Sequence, residues 1–206
     1  MPEKTTLNRL HRPLILASTS RYRRALLMQL GLPFDVAAPG VDETPLAGEL
    51  PAATALRLSE AKARAVAARH AKALVIGADQ VADLEGQPVG KPGDHANAVA
   101  QLRLLSGRTV VFHTGVALCD AASGRCASRL VDVTSVFRRL SDSEIESYLW
   151  REQPYDCAGS VRSEALGIAL FERIESDDPT ALIGLPLIQL SRMLAAAGVA
   201  VLAAPR

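Results

Sequence analysis

An apolar run that ends in a carboxylate constrains this chain most. Ala73-Leu74-Val75-Ile76-Gly77-Ala78 reads as a buried strand, and Asp79-Gln80 follows directly. Glu85-Gly86 turns the chain, and Gln87 to Lys91 returns beside it as a hairpin arm. A carboxylate on a buried strand is costly unless a metal, a cation or several donors compensate it. Gly90-Lys91-Pro92 places a lysine on the returning arm, where it can lie opposite Asp79. That pairing suits a phosphate and a metal. The plainer alternative is an Asp at a strand end that caps a turn.

The rest of the chain gives a mixed pattern. Pro13 to Ala17 reads as a strand, Ser18-Thr19-Ser20 as a capping loop, and Arg21 to Leu30 as a helix with Ala25, Leu26, Leu27 and Leu30 inward. Leu32 to Ala37 reads as a second strand. Pro51 opens a helix over 51–71, with Ala55, Leu58, Ala61, Ala65 and Val66 at helical spacing. Asp94 to Ser106 is a third helix, and Val110 to Cys119 with Ser128 to Leu140 reads as a strand pair. Ser141-x-x-Glu144 is a capping box opening a helix over 142–151. A strand near Ile168 to Ile174 and a helix over 185–198 follow. Hairpins among scattered helices point to a mixed α/β sheet with flanking helices, not a regular βαβ array. Residues 1–12 read as a polar extension and 13–206 as a single domain.

Charge narrows the partners. The 23 basic and 22 acidic side chains leave a net charge of +1, unlike a duplex nucleic-acid binder. A small anionic ligand needs only a few placed cations. The three cysteines, Cys119, Cys126 and Cys157, form no Cys-x-x-Cys pair and are expected as free thiols. No apolar stretch is long enough for a membrane span, and the polar N-terminus lacks a signal core, so no membrane partner and a cytoplasmic location are expected.

Three further segments carry chemistry. Ser18-Thr19-Ser20-Arg21-Tyr22-Arg23-Arg24 puts hydroxyls and arginines at a helix N-terminus, a setting for phosphate oxygens. No Walker lysine is present, so this is not a P-loop. Asp42-Glu43 sits in a loop, where adjacent carboxylates are either solvated or, beside a phosphate, ligands for Mg²⁺. Lys62 shares a helical face with Leu58 and Ala65, so it either snorkels outward or reaches a charged ligand. Together these residues fit a polyphosphate held by cations while carboxylates hold a metal and activate water.

These segments together resemble the Maf family of nucleoside triphosphate pyrophosphatases. The resemblance rests on Leu16-Ala17-Ser18-Thr19-Ser20 with Arg23-Arg24, Val41-Asp42-Glu43, Glu60-Ala61-Lys62, Gly77-Ala78-Asp79 and Gly90-Lys91-Pro92. Ala158-Gly159 and Gly184-Leu185-Pro186-Leu187 complete it, across roughly residues 13–195. It implies an elongated, two-lobed α/β architecture of the Maf and ITPase-like kind, with a central cleft, and commonly a homodimer. It also implies cleavage between the α- and β-phosphates, releasing a nucleoside monophosphate and pyrophosphate, with Mg²⁺ or Mn²⁺. Asp79 matches the family's catalytic carboxylate, and the resemblance implies that it shares the metal with Glu43. Ser18, Arg23, Arg24, Lys62 and Lys91 match its phosphate-binding set. A carboxylate of ordinary acidity is a poor base at neutral pH, so metal assistance is expected.

Within the family, the chain resembles the branch acting on 7-methyl-GTP more than the branch acting on dTTP and UTP. The grounds are Arg21-Tyr22, Gln80 after Asp79, and Ser160-Val161-Arg162-Ser163-Glu164. That branch often has tryptophan where Tyr22 stands. An aromatic face at Tyr22 can stack on the cationic 7-methylguanine, and Glu164 can accept from the guanine N1–H and amine. The competing classes are a dTTP/UTP pyrophosphatase and a non-catalytic nucleotide-binding regulator of cell division. An RNA-binding module is disfavoured by the balanced charge and by only one Trp, three Tyr and four Phe.

Overall fold

The computed structural model describes residues 12–202, so all of the expected extension except Arg12 lies outside the described residues. Arg12 is tied to the domain. Its Nε donates to the Lys72 carbonyl at 3.1 Å, and its guanidinium pairs with Asp120.

Seven strands build one mixed sheet: β1 (Leu14–Ala17), β2 (Asp35–Val36), β3 (Leu74–Leu84), β4 (Gln87–Val89), β5 (Thr109–Asp120), β6 (Cys126–Phe137) and β7 (Phe171–Glu175). Their order is β2-β1-β3-β5-β6-β7, with β4 paired to the far end of β3. β1 runs parallel to β2 and β3, and the other pairs are antiparallel. The helices are α1 (Arg21–Met28), α2 (Pro51–Ala67), α3 (His95–Leu105), α4 (Asp142–Glu152) and α5 (Leu187–Ala196). This is the mixed α/β fold expected from the pattern. The β3–β4 turn holds Glu85 at φ 55 and Gly86 at φ 84, as a two-residue hairpin with the strands' right-handed twist requires.

α2 lies against one face of the sheet at backbone distance. A Cβ on Gly77 would sit 2.1 Å from the Ser59 carbonyl, and one on Gly115 2.4 Å from the Ala55 carbonyl. The two bare glycines thus set which side of α2 faces the sheet. Ser59, Lys62 and Ala63 are buried, whereas Ala61 and Ala65, expected inward, are only half-buried. Small residues pack where the backbones meet, a preference that apolar periodicity alone does not register.

The opposite face carries two apolar clusters. In one, Leu26 and Leu27 of α1 and Leu190 and Leu194 of α5 pack on Leu16, Ile76 and Val116. In the other, Leu102 and Leu105 of α3 and Ile145 and Leu149 of α4 pack on Ala82, Phe112 and Phe137. β3 runs through both. Leu74, Ile76 and Ala78 belong to the first, Ala82 and Leu84 to the second, and Asp79-Gln80-Val81 fills the interval between them.

Several sequence expectations are corrected. Ala25 is exposed, because the short α1 turns Leu26 and Leu27 to the core. β2 covers two residues, since Pro33 has no N–H for a ladder. α2 ends at Ala67. Ile168 to Leu170 belongs to a 3₁₀ turn over Leu166–Leu170, and β7 starts at Phe171. The turn's i to i+3 bonds run from the Ile168 N–H to the Ala165 carbonyl and from the Phe171 N–H to the Ile168 carbonyl. Cys119 and Cys126 are direct partners across β5 and β6 and form a disulfide, while Cys157 is free. The expectation of three free thiols fails because strand register, not sequence spacing, brings the first two together.

Candidate active site

A cleft of about 720 Å³ opens where β3 passes between the two apolar clusters. The close seating of α2 sets its floor. Lys62 reaches across to Asp79, and Nζ donates to Asp79 Oδ1 at 2.7 Å and to Glu43 Oε1 at 2.7 Å. The Lys62 and Asp79 side chains are 5% and 9% exposed, and that of Glu43 is 52% exposed. A buried carboxylate thus has its charge partner, as its cost demands. Glu43 is held below the usual carboxylate range. Burial opposes its charge, but the Lys62 hydrogen bond and the fields of Lys62, Lys91 and Arg23 outweigh burial.

Of the adjacent acids, only Glu43 lines the cleft. Asp42 folds onto its own loop, accepting from the Thr44 N–H at 2.9 Å and the Thr44 hydroxyl at 2.7 Å. The same loop is clamped to α2 by Arg57, which donates to both oxygens of Glu49 at 2.5 and 2.6 Å.

The hydroxyl and arginine segment forms the next wall. Ser18 is buried, and its Oγ accepts from the Ser20 N–H at 3.1 Å. Ser20 caps α1, accepting from the Arg23 N–H at 3.3 Å. Arg23 turns into the cleft, and its Nε donates to the Gly184 carbonyl at 2.9 Å. Burial pushes the Arg23 guanidinium pKa down, against the pull of Asp79 and Glu43. Lys91, exposed just beyond β4, lines the same cleft. Arg24 does not join these groups. It is exposed and lines an adjoining recess with Ala25, Met28 and Val36. An eight-residue helix with three arginines admits several rotations, and the Leu26–Leu27 packing selects the one that sends Arg23 inward.

Tyr22, Gln80 and Glu164 line the rest of the cleft. The Arg21 guanidinium lies 4.8 Å from the Tyr22 ring centroid and that of Arg162 lies 5.8 Å away. Burial pushes the Tyr22 phenol up to about 12, despite the Arg21 hydrogen bond, so the ring stays neutral. Glu164 Oε1 accepts from Arg162 Nε at 3.4 Å, which links the carboxylate to the aromatic through one guanidinium. The Gln80 amide nitrogen donates to the carbonyls of Ala181 at 2.9 Å and Leu182 at 3.0 Å, and to the Thr114 hydroxyl at 3.0 Å. Two of these are carbonyls that only accept, so the amide orientation is fixed and Oε1 is left as the free acceptor.

The sequence reading passed over Thr114, Arg162 and Gly184 as site residues. Thr114 touches the site through a contact distant in sequence that no local motif announces, whereas Gly184 stands in the Gly184-Leu185-Pro186-Leu187 motif, which gives no sign of its contact with Arg23. Among the described residues, no three His, Cys, Asp or Glu side chains converge as a ready metal centre. Lys62 Nζ takes one oxygen from each of Glu43 and Asp79, and the second oxygen of each has no partner among the described residues. Two carboxylates completed by water and phosphate oxygens are a donor set that suits Mg²⁺ or Mn²⁺.

No helix among the described residues is long and apolar enough to cross a membrane. The profile of a family described as Maf-like protein matches residues 13–197. A 7-methyl-GTP pyrophosphatase of a Polaromonas species is 61% identical over 97% of this chain and 91% of its own length. Proteins of the same name from Cupriavidus metallidurans and Thiobacillus denitrificans are each 60% identical, over 90% and 93% of this chain and 93% and 96% of their own. With a match this long, spanning every cleft segment from Ser18 to Gly184, the chain belongs to the Maf-like family.

Proposed function

We propose that this chain is a nucleoside triphosphate pyrophosphatase that converts 7-methyl-GTP to 7-methyl-GMP and pyrophosphate. The observation that carries the reading is the floor of the cleft, where one buried lysine is shared by two carboxylates with Arg23 and Lys91 alongside. Binding phosphates does not by itself require an acid facing them. An enzyme that must deliver water there gains from one.

Arg23, Lys62 and Lys91 neutralise the triphosphate and the charge that develops on the leaving pyrophosphate. Asp79 orients the attacking water and accepts its proton, and Lys62 fixes the direction of the carboxylate. Glu43 and Asp79 would hold the divalent cation, which supplies Lewis-acid polarisation of the phosphoryl oxygens and a more acidic water. Ser18, with its oxygen fixed by the Ser20 N–H, contacts the phosphate chain.

The base reading draws on the names of the relatives and on three side chains. N7-methylation makes guanine cationic, and the Tyr22 ring already attracts two planar cations. Gln80 Oε1 and the Glu164 carboxylate are acceptors, matched to the guanine edge with its neighbouring N1–H and amine. Uracil and thymine offer one donor between two carbonyls and fit that pair poorly. The same reading takes the protein to be cytoplasmic, and a homodimer as its family resemblance implies.

The deciding experiment is pyrophosphate release from 7-methyl-GTP, GTP, dTTP, UTP and CTP, with Mg²⁺, with Mn²⁺ and with chelator. Preference for 7-methyl-GTP and loss of turnover with chelator are expected. Preference for dTTP or UTP overturns the base assignment. Binding without turnover on any nucleotide leaves the regulator in its place.

A further inference from the structure

The segment between β7 and α5 sends three backbone carbonyls into the site. The Ala181 and Leu182 carbonyls hold the Gln80 amide, Ala181 also accepts from the Thr114 hydroxyl at 2.9 Å, and Gly184 holds Arg23. One loop therefore sets the orientation of a base-facing amide and a phosphate-facing guanidinium together. Gly184 sits at φ 115, and a Cβ there would meet Arg23 Nε at 3.4 Å. The loop and the guanidinium are packed as one unit.

What fixes the loop is a buckle at its base. Asp178 is 2% exposed. Its Oδ1 accepts from the Thr180 hydroxyl at 2.8 Å and the Thr180 N–H at 3.3 Å, and its Oδ2 from the Gln189 N–H at 3.0 Å, in the first turn of α5. The Thr180 hydroxyl in turn accepts from the Leu187 N–H at 2.8 Å. Among the described residues no lysine or arginine pairs with Asp178. Its charge rests on N–H and O–H donors and on the positive end of α5. The two contacts with α5 close the loop over 178–189, and the carbonyls of 181, 182 and 184 lie within that closed span.

We propose that Asp178, with Thr180, is a positioning residue for the reaction assigned above. By closing the loop it holds the Arg23 guanidinium and the Gln80 amide in register with one another, and so couples phosphate binding to the choice of base. The inference rests on the proposed activity for its kinetic readout, and on geometry alone for its spectroscopic one.

Two variants test it. Asp178→Asn puts an amide N–H against a backbone N–H, and Thr180→Val removes both hydroxyl bonds of the buckle. Each also weakens the start of α5 and is expected to lower Tm. The expected kinetic result, at a temperature where each variant is folded, is a loss of ~10-fold or more in kcat/KM for 7-methyl-GTP, since displacements near 1 Å are costly in preorganised sites. The ratio of 7-methyl-GTP to GTP turnover is expected to fall with it. A lower Tm with kcat/KM and that ratio both unchanged overturns the proposal, since a purely structural cap behaves so. Should Asp178→Asn fail to fold, Thr180→Val carries the test. The Gln80 side-chain NH₂ resonances supply a readout free of substrate. Slow hydrogen exchange in the unaltered protein and fast exchange in Thr180→Val are expected. Equal exchange overturns the positioning role whether or not the protein turns over any nucleotide, whereas absence of all turnover with unequal exchange removes only the proposed activity.

Discussion

The chain sets a basic side chain between two acids twice on one face of its sheet, and only one copy lies in the cleft. Lys62 sits between Asp79 and Glu43; His113 sits between Asp83 and Asp132, with Nδ1 to Asp132 at 2.7 Å and Nε2 to Asp83 at 3.2 Å. Asp79 and Asp83 are four apart on β3, so they share a face, and each triad has one largely buried and one half-exposed acid. The difference is what surrounds them. The Lys62 triad has Arg23 and Lys91 beside it and stands where β3 crosses between two apolar clusters. None of Asp83, His113 and Asp132 lines the cleft. A basic side chain between two carboxylates is therefore not in itself a site; the concavity and the further cations Arg23 and Lys91 distinguish the cleft copy.

Changing one member of each triad breaks the comparison most directly. Asp79→Asn is expected to cost about 10³-fold in kcat while 7-methyl-GTP binding remains measurable by titration calorimetry. His113→Asn is expected to lower Tm, since His113 is buried between two acids, but to leave kcat within about twofold where the variant is folded, because its triad does not line the cleft. Near-normal turnover by Asp79→Asn, or equal damage from both, would sink the distinction.

The cation of the cleft triad comes next. Lys62→Met leaves Asp79 buried without its partner, so a loss of about 3 kcal/mol in unfolding free energy is expected, with about 10²-fold in kcat. Adding Asp79→Asn removes the stranded charge. The double variant is expected to recover most of the stability and none of the activity. Denaturant unfolding of the two singles and the double gives the coupling. Additive losses would mean that the pair is solvated and its burial irrelevant.

Much of this site could be read from residues in order, and the unread part has a common cause. Asp79 at the end of an apolar run, Lys62 on the inward face of α2, the Glu85-Gly86 turn and the Ser141–Glu144 capping box are all local patterns, and the structure contains each. The rotation of α1 was not legible, because three arginines in four residues give no periodic signal; Arg24 points away and Arg23 inward. The seating of α2 was not legible either, since it depends on Gly77 and Gly115 meeting Ser59 and Ala55 across distant segments. Gln80 is legible from sequence as a marker of the branch, but the commitment of its nitrogen to a loop about a hundred residues away in sequence is not. Local patterns show which side chains exist at the site. Register and backbone approach decide which atoms remain free.

The smallest expected effect concerns what holds the half-exposed acid of each triad. Asp132 lies on β6, within the sheet, whereas Glu43 rides on a loop clamped by Glu49 and Arg57. The Arg57 hydrogen bonds, helped by the Leu46 N–H, hold the Glu49 carboxyl at about 2 instead of its ordinary 4.5. A depressed folded-state pKa contributes stability that is present above the unfolded value and is lost as pH falls toward the folded one. The clamp therefore weakens between about pH 4.5 and 2, and Glu49→Gln is expected to flatten that part of the acid-unfolding curve. Glu144, held at about 2 by the Ser141 N–H and hydroxyl and by Arg138, makes a contribution of the same sign from the capping box of α4, outside the cleft lining. Glu49→Gln and Glu144→Gln are thus both expected to flatten the acid limb. Only Glu49→Gln is expected to lower turnover at neutral pH, by about two- to fivefold, because it alone loosens the loop that carries Glu43 to Lys62. Equal turnover in the two variants would show that Lys62 holds Glu43 without help from the clamp. The cleft triad would then owe as little to its loop as the His113 triad does to its strand.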